Sequence, residues 1–360
     1  AIAKEAGILA DEKKDVVLTH EEMEKLSDEE LKKVLPNLRV VSRAKPLDKK
    51  RLVSLSQQID NVCGMTGDGV NDAPALKQAD IGFAMGDGTA VAQEAGDVVI
   101  LNNSLTSIKD CVLNSRTMAK SVGKFLIFQL TVNISTLLMN IIAPILGWTE
   151  PFSIVQILWI NLITDSLPAL ALGTDVCDGM ELMEKEPRRP GESLFAHGGG
   201  ICTVFYGFLI ALISLTAFLV VPTALLVGSG RPAALAGIRK VLEDPMILAH
   251  CQTYAFTVLG LSQLFHAIGM RDVEKSVFRM DPVNNRLMIL ALAVGFSLQF
   301  VVTEQTSLVA AFQTVRLTKT EWARLLILSA MPLFAHELLL LLSHFGRGTG
   351  QDGDPSGKVR

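Results

Sequence analysis

Two carboxylates and a lysine stand where they could handle a phosphoryl group. Asp68 and Asp72 lie four residues apart in the run Cys63-Gly64-Met65-Thr66-Gly67-Asp68-Gly69-Val70-Asn71-Asp72-Ala73-Pro74-Ala75-Leu76-Lys77. Carboxylate oxygens are hard donors that suit Mg²⁺, which takes one or two protein ligands beside phosphate oxygens and water. Gly67 and Gly69 tolerate backbone angles that other residues resist, so the loop can wrap closely around an ion or a phosphate. Pro74 fits the first turn of a helix, which places the loop at a helix N-terminus, where anions are favoured. Lys49 follows another strand-to-helix turn, Ser42-Arg43-Ala44-Lys45-Pro46. Its ammonium could reach the same edge and offset charge on a phosphoryl group in flight. Lys49 also fits a solvated helix face shared with Lys45, Lys50 and Arg51.

A second set of polar groups lies in apolar sequence. In the run Gln156-Ile157-Leu158-Trp159-Ile160-Asn161-Leu162-Ile163-Thr164-Asp165-Ser166-Leu167-Pro168, the spacing puts Asn161, Thr164 and Asp165 on one helix face. Pro168 cannot donate an intrahelical hydrogen bond and clashes with the carbonyl four residues back, at Thr164. A helix opened there supplies carbonyl oxygens alongside Asp165, as the discontinuous helices of transporters do. Asn133 adds an amide from the preceding apolar run. Asparagine and threonine also serve as polar glue between helices, whereas an aspartate inside a membrane span defaults to a functional role.

The elements that must position these groups fall into two classes. Asp15 to Leu35 is charged and helical in pattern, with Ser27 and Glu30 spaced as a capping box. Strands are expected at 38–42, 62–65, 81–85 and 98–101, with helices at 46–58, through Gln78 and at 89–95. Alternation of this kind predicts a doubly wound parallel sheet, which binds ligands beyond its C-terminal strand ends, where Asp68 and Asp72 fall. From residue 125 the pattern changes. The run at 125–146 has no charge, and similar apolar runs at 154–172, 201–222, 246–269, 287–303 and 325–345, two of them with one acid each (Asp165, Glu337), are long enough to cross a bilayer. Six spans from a cytosolic start return the C-terminus to the cytosol. Lys185, Arg188, Arg189, Arg271, Lys275, Arg279 and Arg286 then lie inside, and Arg231, Arg239 and Lys240 outside. The tail 346–360 is glycine-rich and polar, expected to be flexible.

Composition agrees with this division. The chain has 360 residues, 49% hydrophobic, too many and too apolar for one soluble domain. A net charge of −4 gives no sign of a nucleic-acid partner. The five cysteines are scattered, without Cys-x-x-Cys spacing, so neither a disulfide framework nor a zinc site is expected.

The run Thr66 to Lys77, followed by a strand ending in Met85-Gly86-Asp87-Gly88-Thr89-Ala90, resembles the hinge motif of P-type ion-pumping ATPases. These pumps are a branch of the haloacid-dehalogenase-type phosphotransferases. The resemblance implies residues 1–115 as the end of a phosphorylation domain with a haloacid-dehalogenase-like α/β fold. Residues 116–345 would be an all-α bundle of six membrane helices, numbers five to ten of such a pump. It implies that Asp68 and Asp72 hold Mg²⁺ and that Asn71 belongs to the catalytic loop. Thr66, Gly67 and Gly69 would cradle the phosphate, and Lys49 would contact an aspartyl phosphate. Lys45 stands where calcium pumps often carry an acid. The phosphorylated aspartate of these pumps lies in Asp-Lys-Thr-Gly-Thr, which does not occur in the sequence. The chain is therefore expected to be the C-terminal part of a longer pump. Alone it should be inactive, with the main ATP-binding domain in the missing N-terminal part.

Six spans after the phosphorylation domain point to the type II class, and the Asn161-Leu162-Ile163-Thr164-Asp165 run resembles the sixth helix of calcium pumps. Asn133 matches their fifth-helix asparagine. With Asn161, Thr164 and Asp165 it forms the implied ligand set for transported Ca²⁺. Thr136 and Gln263 are neutral where two-site pumps carry glutamates, as in plasma-membrane-type, single-site pumps. Glu337 has no ligand role in the resemblance and is read as a helix-packing or cytosol-facing acid. The expected protein is a multi-pass, plasma-membrane Ca²⁺ exporter whose partners are membrane lipid, the cation and its own N-terminal part. A pump for Na⁺ or K⁺, or a non-catalytic scaffold or decoy derived from such a pump, is the alternative.

Overall fold

The computed structural model describes residues 2–11, 13–175, 179–189, 191–196 and 198–348. It separates into two compact units, Ala1–Arg116 with Asp178–Ser193, and Thr117–Cys177 with Leu194–Arg360. The segment that follows the second apolar run thus belongs with the first unit. There the Arg116 guanidinium donates to the Leu182 carbonyl at 2.9 Å and the Lys185 carbonyl at 2.7 Å.

In the first unit, β1 (Val16–Thr19) runs parallel to β2 (Leu38–Ser42). The helical reading of 15–35 is corrected at its start: Val16-Val17-Leu18-Thr19 is a β-branched run, and the helix His20–Lys25 begins only after it. Thr19 caps that helix with Glu22, and Ser27 caps the helix Asp28–Val34 with Glu30. Hydrogen bonds from the cap residues hold both glutamate carboxyls below the usual carboxylate range. Met23, Leu31 and Leu55 form the core between these helices and Pro46–Gln58.

The strands β3 (Gly64–Gly67), β4 (Ile81–Met85) and β5 (Val98–Ile100) form a second parallel sheet in that order. All pairings are parallel, as expected, but the strands make two small sheets rather than one. Among the described residues no ladder joins β2 to β3, and β3 pairs on one edge only.

The second unit is helical. Five helices of the described residues are long and apolar enough to cross a membrane: Leu105–Ile145, Ile154–Gly173, Gly199–Gly228, Arg286–Glu304 and Lys319–Leu342. The expected sixth, 246–269, is a 26-residue helix, Pro245–Met270, but it is not apolar enough to count with the other five. Its position explains the difference. From Cys251 to Met270 nearly every residue is buried, including Thr253, Thr257, Ser262, Gln263 and His266. A helix enclosed by other helices need not present an apolar face to lipid. The last span breaks at Ala330, ahead of Pro332, and its second piece, Met331–Gly348, runs past the expected start of the tail at 346. The rest of that tail lies outside the described residues.

A buried charged cluster ties the ends of three of these helices to the middle of Leu105–Ile145. Asp175 accepts from Lys124 Nζ at 3.0 Å, Asn285 Nδ2 at 3.0 Å and Arg271 at 3.4 Å. Asn285 also donates to the Ala171 carbonyl at 2.8 Å, so the end of the span that carries Asp165 is fixed. Glu337 accepts from Ser276 Oγ at 2.8 Å and from the Val277 amide at 2.7 Å. It caps the turn Val277–Arg279.

Candidate functional sites

The first site lies where β3 ends. Asp68 follows Gly67 directly, and the helix Ala73–Gln78 begins four residues after Gly69, with Pro74 in its first turn. Asp72 occupies the N-cap position of that helix without capping it; its side chain turns back into the loop. One oxygen pairs with Lys49 Nζ, and the other accepts weakly from the Gly69 amide at 3.4 Å. Lys49 is thus part of the constellation rather than only a member of a solvated face. Asp72 is 7% exposed, while Asp68 is exposed and makes no side-chain hydrogen bond among the described residues. The two carboxylates therefore differ: one is committed to a lysine and the other is free for an outside ligand. Thr66 and Asn71 are exposed beside them.

The glycines act differently from expectation. Neither Gly67 nor Gly69 has a positive φ. Gly67 is required by close approach, since a Cβ there would clash with Asp72 Cβ and stand 2.9 Å from its Cγ. At Gly69 the nearest atom would be 3.8 Å away, which leaves the backbone open to a ligand. Gly67→Ala should consequently cost about 1–3 kcal/mol by overpacking, seen as a lower unfolding temperature of the membrane-inserted chain. Gly69→Ala should shift that temperature little. Equal losses in the two variants would refute the assignment of Gly67 to packing and Gly69 to ligand access.

Two supports of this loop were not apparent from the sequence. The Thr89 amide donates to the Asp68 carbonyl at 2.8 Å, and a Cβ on Gly88 would meet the same oxygen at 2.8 Å. The Met85–Ala90 run therefore holds the Asp68 backbone. On the other side, buried Asp48 accepts from the Lys45 amide at 2.8 Å and lies 2.6 Å from His20 Nδ1. These contacts fix the helix start that carries Lys49.

The second site is the broken span. A regular helix, Ile154–Trp159, widens into a π turn over Ile160–Thr164 and resumes at Ser166–Gly173. The Asp165 amide bonds to the Ile160 carbonyl at 3.0 Å, five residues back. The opening thus lies one turn earlier than Pro168 suggested. It also changes which residues share a face. The bond from the Asp165 amide spans five residues, and burial divides the turn: Ile160 and Asp165 are fully buried, and Asn161 and Ser166 are exposed. The expected face of Asn161, Thr164 and Asp165 is corrected accordingly: Thr164 and Asp165 are buried and Asn161 is not. Asn133 is likewise exposed.

Both Asp165 oxygens are buried and have no hydrogen-bond partner among the described residues. Gln263 is fully buried with both side-chain polar atoms unpartnered, and Thr136 donates its hydroxyl to the Val132 carbonyl at 3.1 Å. Among the described residues no three His, Cys, Asp or Glu converge, and the unpartnered groups named here hold one carboxylate beside neutral amides.

Residues 149–342 match the family described as the C-terminus of cation-transporting ATPases, and residues 51–111 match the haloacid dehalogenase-like hydrolases. Calcium-transporting ATPase 1 of Bacillus cereus is 37% identical over 95% of this chain and 38% of its own length. The calcium-transporting ATPase of Bacillus subtilis is 36% identical over 93% of this chain and 35% of its own. A probable plasma-membrane-type calcium-transporting ATPase 8 of Oryza sativa is 36% identical over 89% and 30%. The chain thus spans 30–38% of the length of these three relatives. With a family match over more than half of its residues, the chain belongs to the cation-transporting ATPases.

Proposed function

We propose that the chain is the C-terminal part of an ATP-driven pump that exports Ca²⁺ through an aspartyl-phosphate cycle. The observation that carries this is Asp165: a fully buried carboxyl without a partner, beside a widened helix turn, in a chain that also holds the Lys49–Asp72 loop. A charge in that setting is costly unless a cation joins it. Names of similar proteins, calcium-transporting in two bacilli and a plant, support Ca²⁺ as that cation.

In the loop the donor chemistry fits Mg²⁺. Asp68 offers an unengaged, exposed carboxylate, the neighbouring donors are oxygens, and Gly69 leaves room for close approach. Asp68 would hold the metal with help from Asp72, and the metal would neutralise phosphate charge. Lys49, fixed by Asp72, would supply a second positive charge to the phosphoryl group. Thr66 and the backbone at Gly67 and Gly69 would bound the phosphate, and Asn71 would face it from the loop. Asn133 and Asn161, exposed here, would complete the cation site from the side left open to the rest of the pump. The protein would be multi-pass in the plasma membrane, with its first unit and its C-terminus in the cytosol.

Neutral Thr136 and Gln263 further support one transported ion per cycle. A second divalent charge would lack a matching carboxylate in a low-dielectric site. Equilibrium ⁴⁵Ca²⁺ binding to the full-length polypeptide should plateau near one ion per phosphorylation site, with a Hill coefficient near one. A plateau near two would overturn the single-site reading, and saturation by Na⁺ or K⁺ in place of Ca²⁺ would overturn the cation.

A further inference from the structure

Gln299, on the helix Arg286–Glu304, stands in an apolar run without any motif around it. Its side chain is 1% exposed, and neither polar atom of its carboxamide has a hydrogen-bond partner among the described residues. An unpaired buried amide costs about 1–3 kcal/mol, so native structures seldom retain one without a ligand or water. Gln299 is not isolated. Gly260, on the enclosed helix Pro245–Met270, faces it, and a Cβ on Gly260 would stand 3.0 Å from Gln299 Oε1 and 3.8 Å from Thr164 Cγ2. The absence of a side chain at 260 is what leaves space for the amide oxygen.

Three elements thus carry buried polar groups, and Gln299 and Thr164 meet across Gly260. The broken span contributes Thr164 and the adjoining Asp165, and the enclosed helix contributes Gln263, one turn from Gly260. The Arg286–Glu304 helix contributes Gln299. Asp165, Gln263 and Gln299 all lack partners at every side-chain oxygen and nitrogen. Purely structural glue would pair these groups with one another or with backbone, as Ser135 and Thr303 do with their own helices. A divalent cation seeking six to eight oxygens would use them.

We propose that the Gln299 carboxamide oxygen is a further neutral ligand of the cation held at Asp165. This rests on reading Asp165 as the carboxylate of the cation site. It adds a third helix to the two that carry the ligands already assigned, and it gives Gly260 a reason to be glycine.

The test uses the full-length pump and reads the Ca²⁺ concentration that half-saturates phosphorylation from ATP, with the unfolding temperature in chelator measured alongside. Gln299→Leu keeps the volume and removes the oxygen, and should weaken Ca²⁺ by about tenfold or more. In chelator it should unfold no earlier than the parent, because an unpaired amide has been replaced by an apolar group. Gly260→Ala leaves Gln299 present but displaces its oxygen, so it should also weaken Ca²⁺; it decides the matter if Gln299→Leu does not reach the membrane. Unchanged Ca²⁺ dependence in both variants, while Asp165→Asn abolishes it, would overturn the role of Gln299 and leave the cation site standing. Unchanged dependence in Asp165→Asn as well would overturn both readings.

Discussion

Asp165→Asn in the full-length polypeptide is expected to abolish Ca²⁺ binding, with at least a hundredfold loss of apparent affinity. The substitution keeps the shape and removes the single carboxylate among the polar groups of the site. A Ca²⁺ ion sits about 2.4 Å from a carboxylate oxygen. At that separation even an effective dielectric of about 20 leaves an attraction of many kcal/mol before desolvation is counted. Since about 1.4 kcal/mol is a factor of ten, a small net fraction of that attraction accounts for the expected loss. The same variant should behave oppositely without the ion. In chelator the parent buries a carboxyl with no hydrogen-bond partner, and the neutral amide of the variant would not carry that charge cost. Asp165→Asn should thus unfold at a higher temperature than the parent in chelator and gain nothing when Ca²⁺ is added. Ca²⁺-dependent stabilisation of the variant would show that the cation is held elsewhere.

The loop chemistry was readable because it is local. Thr66 to Lys77 is continuous in sequence, and a strand, a glycine turn and a proline-started helix leave few arrangements for Asp68 and Asp72. What escaped is non-local or depends on a small change in backbone winding. Val16–Thr19 was hidden by charged flanks that look helical, although its β-branched residues carry the strand signal. The separation into two sheets depends on which strands become neighbours, and alternation alone does not specify that.

In the membrane unit, Pro168 marked a disturbed helix, yet the π turn lies at 160–164, and Asn161 is exposed where Thr164 and Asp165 are buried. A spacing argument assumes 3.6 residues per turn, and a single inserted residue is enough to defeat it. The helix Pro245–Met270 was recognised by its lack of charge, whereas its polarity makes sense only once its neighbours enclose it. Gln299 is the extreme case. One amide in an apolar run reads as packing, and only the glycine across from it, 39 positions earlier, reveals the space it occupies.

The contrast between Asp68 and Asp72 leads to the other large effect. Asp68→Asn should reduce phosphoenzyme formation from ATP by at least about a hundredfold, the scale seen when one preorganised electrostatic group is removed. Its side chain is exposed and bonds to no other described residue, and the loop backbone is held by the Thr89 amide instead. Folding should therefore be unaffected, and the unfolding temperature should match the parent. Asp72→Asn should lower both quantities. That carboxylate is buried, packs against Gly67 and pairs with Lys49, so losing its charge frees the lysine and leaves a buried amide in its place. Leaving a buried, hydrogen-bonded charge without its partner costs several kcal/mol, less here because Lys49 is partly exposed. Raising Mg²⁺ should restore more of the activity of Asp68→Asn, where the main metal ligand is weakened, than of Asp72→Asn, where the lysine is also misplaced. Normal phosphoenzyme in Asp68→Asn would remove that residue from the metal site, and a common Mg²⁺ response in the two variants would show that their roles are not divided.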